Sequence, residues 1–188
     1  MTIHHYVLGQ AGSGKSTFIE QTFPSEHYIH FNTGNILRGM FDCMKQVQDQ
    51  KNVWNFANPI VYGIYKNCSL ISSKYGFPLV TDGFPRNRYQ MKVAHRWLND
   101  AHPNQPMVIF HMLYISEQDQ ISRLAQRNGV AVADLSDYEV ERVKQSRSDF
   151  DGVVDEIEHL IDSGLTQYRI KLNWYKQEGG GFVLDREY

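Results

Sequence analysis

Cysteine is scarce in this 188-residue chain: there are two, Cys43 and Cys68, with no C-x-x-C spacing and no paired histidines beside them. That argues against a disulfide scaffold and a structural zinc site, and for free thiols in a reducing compartment. Excess charge of either sign is also missing. Lysine and arginine total 19 against 21 acids, a net charge of -2, so no general field draws the chain to nucleic acid or to an anionic membrane. An anionic ligand has to be held by local basic residues instead. No apolar run approaches the roughly 20 residues of a membrane span, and no repeat or low-complexity stretch is present. The N-terminus enters a strand directly, without a leader, so the expected location is the cytoplasm. With 41% hydrophobic and 21% charged residues, the composition is that of one ordinary globular domain with a real core.

What is present is concentrated near the start. The β-type run Ile3-His4-His5-Tyr6-Val7-Leu8 leads into Gly9-Gln10-Ala11-Gly12-Ser13-Gly14-Lys15-Ser16-Thr17, a G-x-x-x-x-G-K-[ST] phosphate-binding loop. Its glycines let the backbone curl so that successive N–H groups point at phosphate oxygens. Lys15 is expected to meet the β- and γ-phosphates and Ser16 to place its hydroxyl on Mg²⁺. The helix that opens there presents its positive end to the anion.

Further along, Glu26–Phe31 reads as a second strand, and Thr33-Gly34-Asn35-Ile36-Leu37-Arg38 opens a helix. Residues 39–75 read as two helices split near Asn55–Pro59, with the proline in a first turn. Phe77–Thr81 reads as a buried strand that ends in Asp82-Gly83-Phe84-Pro85-Arg86. A carboxylate there, beside a phosphate loop, is placed to hold Mg²⁺ through water, and the Gly83/Pro85 turn aims Arg86 at the same site. A helix over 88–100 and an apolar strand over Met107–Ile115 follow, the strand suited to a sheet covered on both faces.

Ser116-Glu117-Gln118-Asp119 is a capping signature. It opens a helix on which Arg123 and Arg127, at i and i+4, share a face as an anion clamp. A flexible stretch over 128–134, a capped polar helix over Ser136–Ser146, a turn over 147–152 and a long amphipathic stretch to about Gln177 come next. Gly179-Gly180-Gly181 then introduces a short strand over Phe182–Asp185. The alternation of strands and helices is that of an α/β fold with a parallel sheet.

Asp82-Gly83-Phe84-Pro85-Arg86-x-x-x-Gln90, together with the loop, the Thr33–Arg38 motif and the Arg123/Arg127 pair, resembles the adenylate kinase family of nucleoside monophosphate kinases, from residue 1 to about 178. The resemblance implies a P-loop NTPase fold with a five-stranded parallel sheet flanked by helices. Its core would span 1–32, 76–127 and 148–188, with a monophosphate-binding insert over 33–75 and a lid over 128–147. It implies reversible transfer of the γ-phosphate of Mg-ATP to a nucleoside monophosphate by a monomer. Arg38 and Arg86 would hold the acceptor phosphate, with Gly34 and Gly83 beside it, while Thr33 and Gln90 read the base. Arg123 would lie against the donor adenine, and Arg127 and Arg147 would close on the transferring group, so that Lys15, Arg86, Arg123, Arg127 and Arg147 form the charge clamp. The Gln90 amide matches adenine's N6 and N1, which favours AMP; Asn87 is also common in uridylate/cytidylate kinases and keeps a UMP/CMP kinase, or a deoxynucleoside monophosphate kinase, as the alternative. No zinc is expected, because the lid carries no cysteine.

The chain departs from the family pattern in several places. Asn35 stands where the family has aspartate. After Arg147, the second aspartate of the family's pair is missing unless Asp151 replaces it. His159 aligns with a phosphate-clamping arginine, for which Arg142 or Arg169 are substitutes. The chain also stops just after its last strand, so loose donor selectivity is expected. These departures keep a second class of function open, a nucleotide-binding regulator with weak catalysis.

Overall fold

The computed structural model describes residues 2–23, 27–43, 53–102, 105–178 and 181–188. The side chains of Arg38 and Cys43 lie outside the described residues. Six extended segments form one sheet: β1 (Ile3–Gly9), β2 (Ile29–Asn32), β3 (Leu79–Asp82), β4 (Met107–Leu113), β5 (Ile170–Glu178) and β6 (Gly181–Glu187). Their order is β2-β3-β1-β4-β5-β6. The first five in that order run parallel, as expected for the α/β class, and β6 is added antiparallel at the edge.

Helices cover both faces, which is why β1, β3 and β4 are nearly continuous in apolar residues. Side chains alternate along β1: Tyr6 and Leu8 enter a cluster with Tyr65, Phe84, Met91, Phe110 and Ile157, whereas Val7 enters one with Phe18, Ile19, Val80 and Leu113. The first cluster is closed by α3 (Val53–Tyr75), α4 (Arg88–Arg96) and α6 (Asp137–Ser163), the second by α1 (Lys15–Thr22). The other α-helices among the described residues are α2 (Thr33–Cys43) and α5 (Glu117–Asn128), with a π-helical segment, Trp97–Ala101, extending α4 and a 3-10 turn at Val132–Asp134.

Four local expectations are corrected. Residues 170–178 form the fifth parallel strand and not the end of a helix: Ile170, Leu172 and Trp174 alternate with Lys171, Asn173 and Tyr175, a period of two. The segment over 182–185 belongs to β6, the antiparallel edge. The turn expected at 147–152 is absent, because α6 runs unbroken for 27 residues from its Ser136/Glu139 capping box. Its buried stripe Val143, Phe150, Val153, Ile157 and Leu160 continues through Gly152, where α4 packs alongside, Arg88 Cβ lying at ordinary contact distance, 3.6 Å, from where a Cβ would stand. Finally, α3 starts at Val53 and carries Pro59 inside it.

Histidines crowd the sheet on either side of β1. His5 Nδ1 and His111 Nε2 share a hydrogen bond at 3.0 Å, which requires at least one bare ring nitrogen. Burial lowers His5 to about 4, and burial followed by the neighbouring His5 lowers His111 to about 3. His4, with neither ring nitrogen hydrogen-bonded among the described residues, is lowered to about 3 by burial and then by His102. All three are neutral in the fold and titrate near 6.5 when unfolded, so their contribution is complete above pH 6.5 and is lost as pH falls toward 4. Thermal unfolding followed from pH 7 to pH 4 should show a steadily falling midpoint, and His4→Leu should flatten that slope by about one proton's worth. A midpoint independent of pH across this range would contradict the assignment.

Candidate active site

Parallel pairing puts the carboxyl ends of β1, β3, β2 and β4 at one edge of the sheet, and the site is built there. The register sets Val7 beside Asp82, Asn32 beside Asp82 and Gly9 beside Leu113. Thus the phosphate loop leaving β1, the carboxylate ending β3 and the segment entering α2 all meet. Gly9 is required at the loop's first position, since a Cβ would stand 2.5 Å from both Leu113 O and Ser13 Oγ. The loop closes with Ser13 N–H donating to Gln10 O at 3.1 Å, and α1 begins directly after Gly14.

Lys15 folds back over this loop. Its Nζ donates to Gly9 O at 3.0 Å and to Gln10 O at 2.9 Å. Burial lowers its pKa to about 8; Asp82 opposes that shift and Arg86 adds to it. Ser16 Oγ donates to Asp82 Oδ2 at 3.0 Å, and Asn32 Nδ2 donates to the same oxygen at 2.7 Å. Asn32 Oδ1 in turn accepts from the Asn35 N–H at 2.8 Å. Asn32 is therefore the residue that ties the start of α2 to the carboxylate, a role sequence reasoning missed although Asn32 ends the β2 segment beside the Thr33 motif.

A tight turn carries Arg86 to the same edge. Gly83 adopts φ 69°, and a Cβ there would lie 3.5 Å from Arg86 Nη2 and 3.7 Å from Lys15 Cε, so the two cations flank it. Arg86 Nε donates to Gly83 O at 2.9 Å. The turn is held by Gln90, whose Oε1 accepts from the Arg86 N–H at 2.8 Å while its Nε2 donates to Asn58 Oδ1 at 2.8 Å. Asn87 caps α4 by accepting from the Gln90 N–H. Gln90 is buried, and both ends of its amide are engaged within the chain. Thr33 is fully buried, with its hydroxyl unpaired among the described residues.

On the opposite side of the loop, Arg123 of α5 donates to Gly12 O at 2.8 Å and to Gln177 Oε1 of β5. Phe182 of β6 packs edge-on against Phe18 of α1, ring centroids 5.3 Å apart. Sequence reasoning singled out neither: Gln177 lies in a stretch expected to be helical that forms β5, and Phe182, in the expected final strand, carries no motif. Arg127 is exposed, with no hydrogen bond or ion pair among the described residues. Arg147 is turned toward the β4–α5 connection, donating to Ile115 O at 3.1 Å and Tyr114 OH at 3.2 Å, with Glu117 at 3.9 Å. His159 is exposed three turns further along the same helix. Arg142 is exposed too, stacked over Tyr138 at 5.8 Å.

The donor set beside the loop is made of hard oxygens, the Ser16 hydroxyl and the Asp82 carboxylate, with Asn32 orienting the latter. That chemistry fits Mg²⁺, which takes one or two protein oxygens and keeps waters and phosphate oxygens for the rest. No group of three or more His, Cys, Asp or Glu side chains able to hold a metal occurs among the described residues.

A lysine poised near pH 8 has a measurable consequence. Affinity for a nucleoside triphosphate should fall above pH 8, approaching about tenfold per unit as Lys15 loses its proton. Lys15→Ala should bind weakly at every pH while keeping the fold. Calorimetric titration from pH 7 to pH 9.5 checks both, and undiminished affinity in Lys15→Ala would contradict the role of the loop.

Comparison with known proteins shows the family. The chain is 32% identical over 132 residues to an adenylate kinase of Prochlorococcus marinus (strain MIT 9301), spanning 68% of this chain and 70% of that protein. It is 29% identical over 170 residues to a GTP:AMP phosphotransferase of Plasmodium falciparum, spanning 85% of this chain and 69% of that one. A solved chain from the PezAT toxin–antitoxin system of Streptococcus pneumoniae superposes with a TM-score of 0.63 at 15% identity, covering all of this chain and 72% of that one; this shows the shared fold. No family model matches. Among the described residues no helix is long and apolar enough to cross a membrane. On the phosphate loop, the Asp82–Arg86 turn and these relatives, the chain belongs to the adenylate kinase family of nucleoside monophosphate kinases.

Proposed function

We propose that the chain transfers the γ-phosphoryl group of Mg-ATP reversibly to AMP, giving two ADP. The observation that carries this reading is the convergence of Lys15, Ser16, Asp82 and Arg86 at one sheet edge. Phosphoryl transfer asks a protein for positioning and charge neutralisation more than for covalent help. In the reaction, the bond from the γ-phosphorus to its bridging oxygen breaks, and one forms to an oxygen of the AMP phosphate. The loop amides and Lys15 hold the donor phosphates, and Arg86 faces the acceptor. Ser16 and Asp82 would hold Mg²⁺, which supplies neutralisation of the phosphate charge. Exposed Arg127 is free to swing onto the anion.

The segment 33–75 is the acceptor side and the stretch from 128 a lid in this reading, although α6 joins the lid's end rigidly to the core. Closure would exclude the water that hydrolyses the donor. The working unit is taken as a cytoplasmic monomer acting on free nucleotides. AMP is favoured because the relatives named above are adenylate kinases and a GTP:AMP phosphotransferase. Gln90 contributes by fixing the Arg86 turn, and it reads a base only if it releases Asn58.

The test is a coupled assay with AMP, UMP, CMP, GMP and dTMP offered separately, against ATP and then GTP as donor. The expected result is turnover with AMP at least tenfold above any other acceptor. A pyrimidine winning would reassign the acceptor. Nucleotide binding without turnover would support the regulatory reading, which the commitment of Arg147 to Tyr114 and Ile115 favours.

A further inference from the structure

The phosphate loop is touched from outside by one residue with no assigned role. Ser146, in the middle of α6, accepts a hydrogen bond from the Ala11 N–H through its Oγ at 3.0 Å, a contact across 135 residues of chain. Ala11 lies in the loop between Gly9 and Gly14, where backbone N–H groups are directed at phosphate oxygens. The Ser146 hydroxyl thus stands against a loop amide, within the region where the phosphates are expected.

Ser146 is also held firmly. Val143 and Phe150, on either side of it along α6, are buried in the protein. The next residue, Arg147, is pinned to Ile115 O, Tyr114 OH and Gln120 Oε1. With its guanidinium spent on that anchorage, Arg147 fixes the helix and the hydroxyl beside it faces the loop. The surroundings are polar beyond what packing needs: Gln10 and Ser13, flanking Ala11, and Gln120, under Arg147, have buried side-chain polar atoms without a partner among the described residues.

We infer that Ser146 is a ligand of the donor phosphates. A hydroxyl can accept and donate, so the oxygen that accepts from Ala11 N–H can turn its own O–H onto a phosphate oxygen when the loop is filled, with α6 unmoved. Arg147 then acts as the positioning residue behind it. This inference rests on the donor-side reading of the loop given above.

The test measures KM for ATP at saturating AMP, KM for AMP at saturating ATP, equilibrium ATP binding and the unfolding midpoint, in wild type, Ser146→Ala, Ser146→Thr and Ser146→Asp. Loss of one hydrogen bond to a charged group should raise KM and Kd for ATP about tenfold in Ser146→Ala. The AMP KM and the midpoint should not move, Ser146→Thr should recover most of the loss, and Ser146→Asp, which sets a carboxylate against phosphate, should bind no ATP. Unchanged ATP affinity in Ser146→Ala, or ATP and AMP constants rising together, overturns the inference. If wild type makes no ADP from any acceptor, the kinase reading fails and the binding arm decides alone: tenfold weaker ATP binding by Ser146→Ala supports Ser146, equal binding overturns it. Absence of ATP binding by wild type overturns both.

Discussion

The parallel pairing of β1 with β3 and β4 is the constraint on which the rest depends. Through the register Val7↔Asp82 and Gly9↔Leu113, it delivers a carboxylate and the wall of a tight loop to the same edge of the sheet. A one-residue slip would exchange side chains between the two differently shaped core faces and carry Asp82 away from Ser16. Tyr6, Leu8, Phe110 and Met112 on one face and Val7 and Leu113 on the other hold that register. The apolar core and the polar site are therefore one device: burial fixes the strands, and the strands place the charges.

Around this edge the charges are balanced by geometry. Lys15 and Arg86 approach each other across Gly83, a repulsion that Asp82 offsets and a bound polyanion would relieve. Lys15 meanwhile rests on the loop's own carbonyls. The local charge at this edge therefore favours an anion. The β5–β6 hairpin braces the loop region through Gln177 on Arg123 and Phe182 on Phe18, and α6 bridges the loop and the β4–α5 connection through Ser146 and Arg147.

Much of this was legible in the sequence. The loop's glycines and lysine, the Asp82–Arg86 turn and the alternation of strands and helices are local patterns whose chemistry is tied to spacing, and each is found where the spacing put it. What stayed hidden depended on tertiary context. Residues 170–178 alternate correctly for a strand, but the helical stretch before them masked the change of period. Gly152 reads as a break, yet the stripe from Val143 to Leu160 and the packing of α4 alongside carry the helix through it. Gln90 reads from its motif as a base contact, and only the fold reveals that Arg86 and Asn58 hold its amide. Asn32, Ser146 and Gln177 carry no motif, since their significance comes from partners far away in the chain.

The central claim is that Asp82, oriented by Ser16 and Asn32, makes the phosphate loop a site for a metal-bound nucleotide. Its most direct test is calorimetric ATP binding with and without Mg²⁺ in wild type and in Asp82→Asn, which keeps the shape and removes the charge. The account predicts that wild type binds ATP markedly more tightly with Mg²⁺, and that Asp82→Asn abolishes that difference while still binding the free nucleotide. An Mg²⁺ dependence that survives in Asp82→Asn would contradict it.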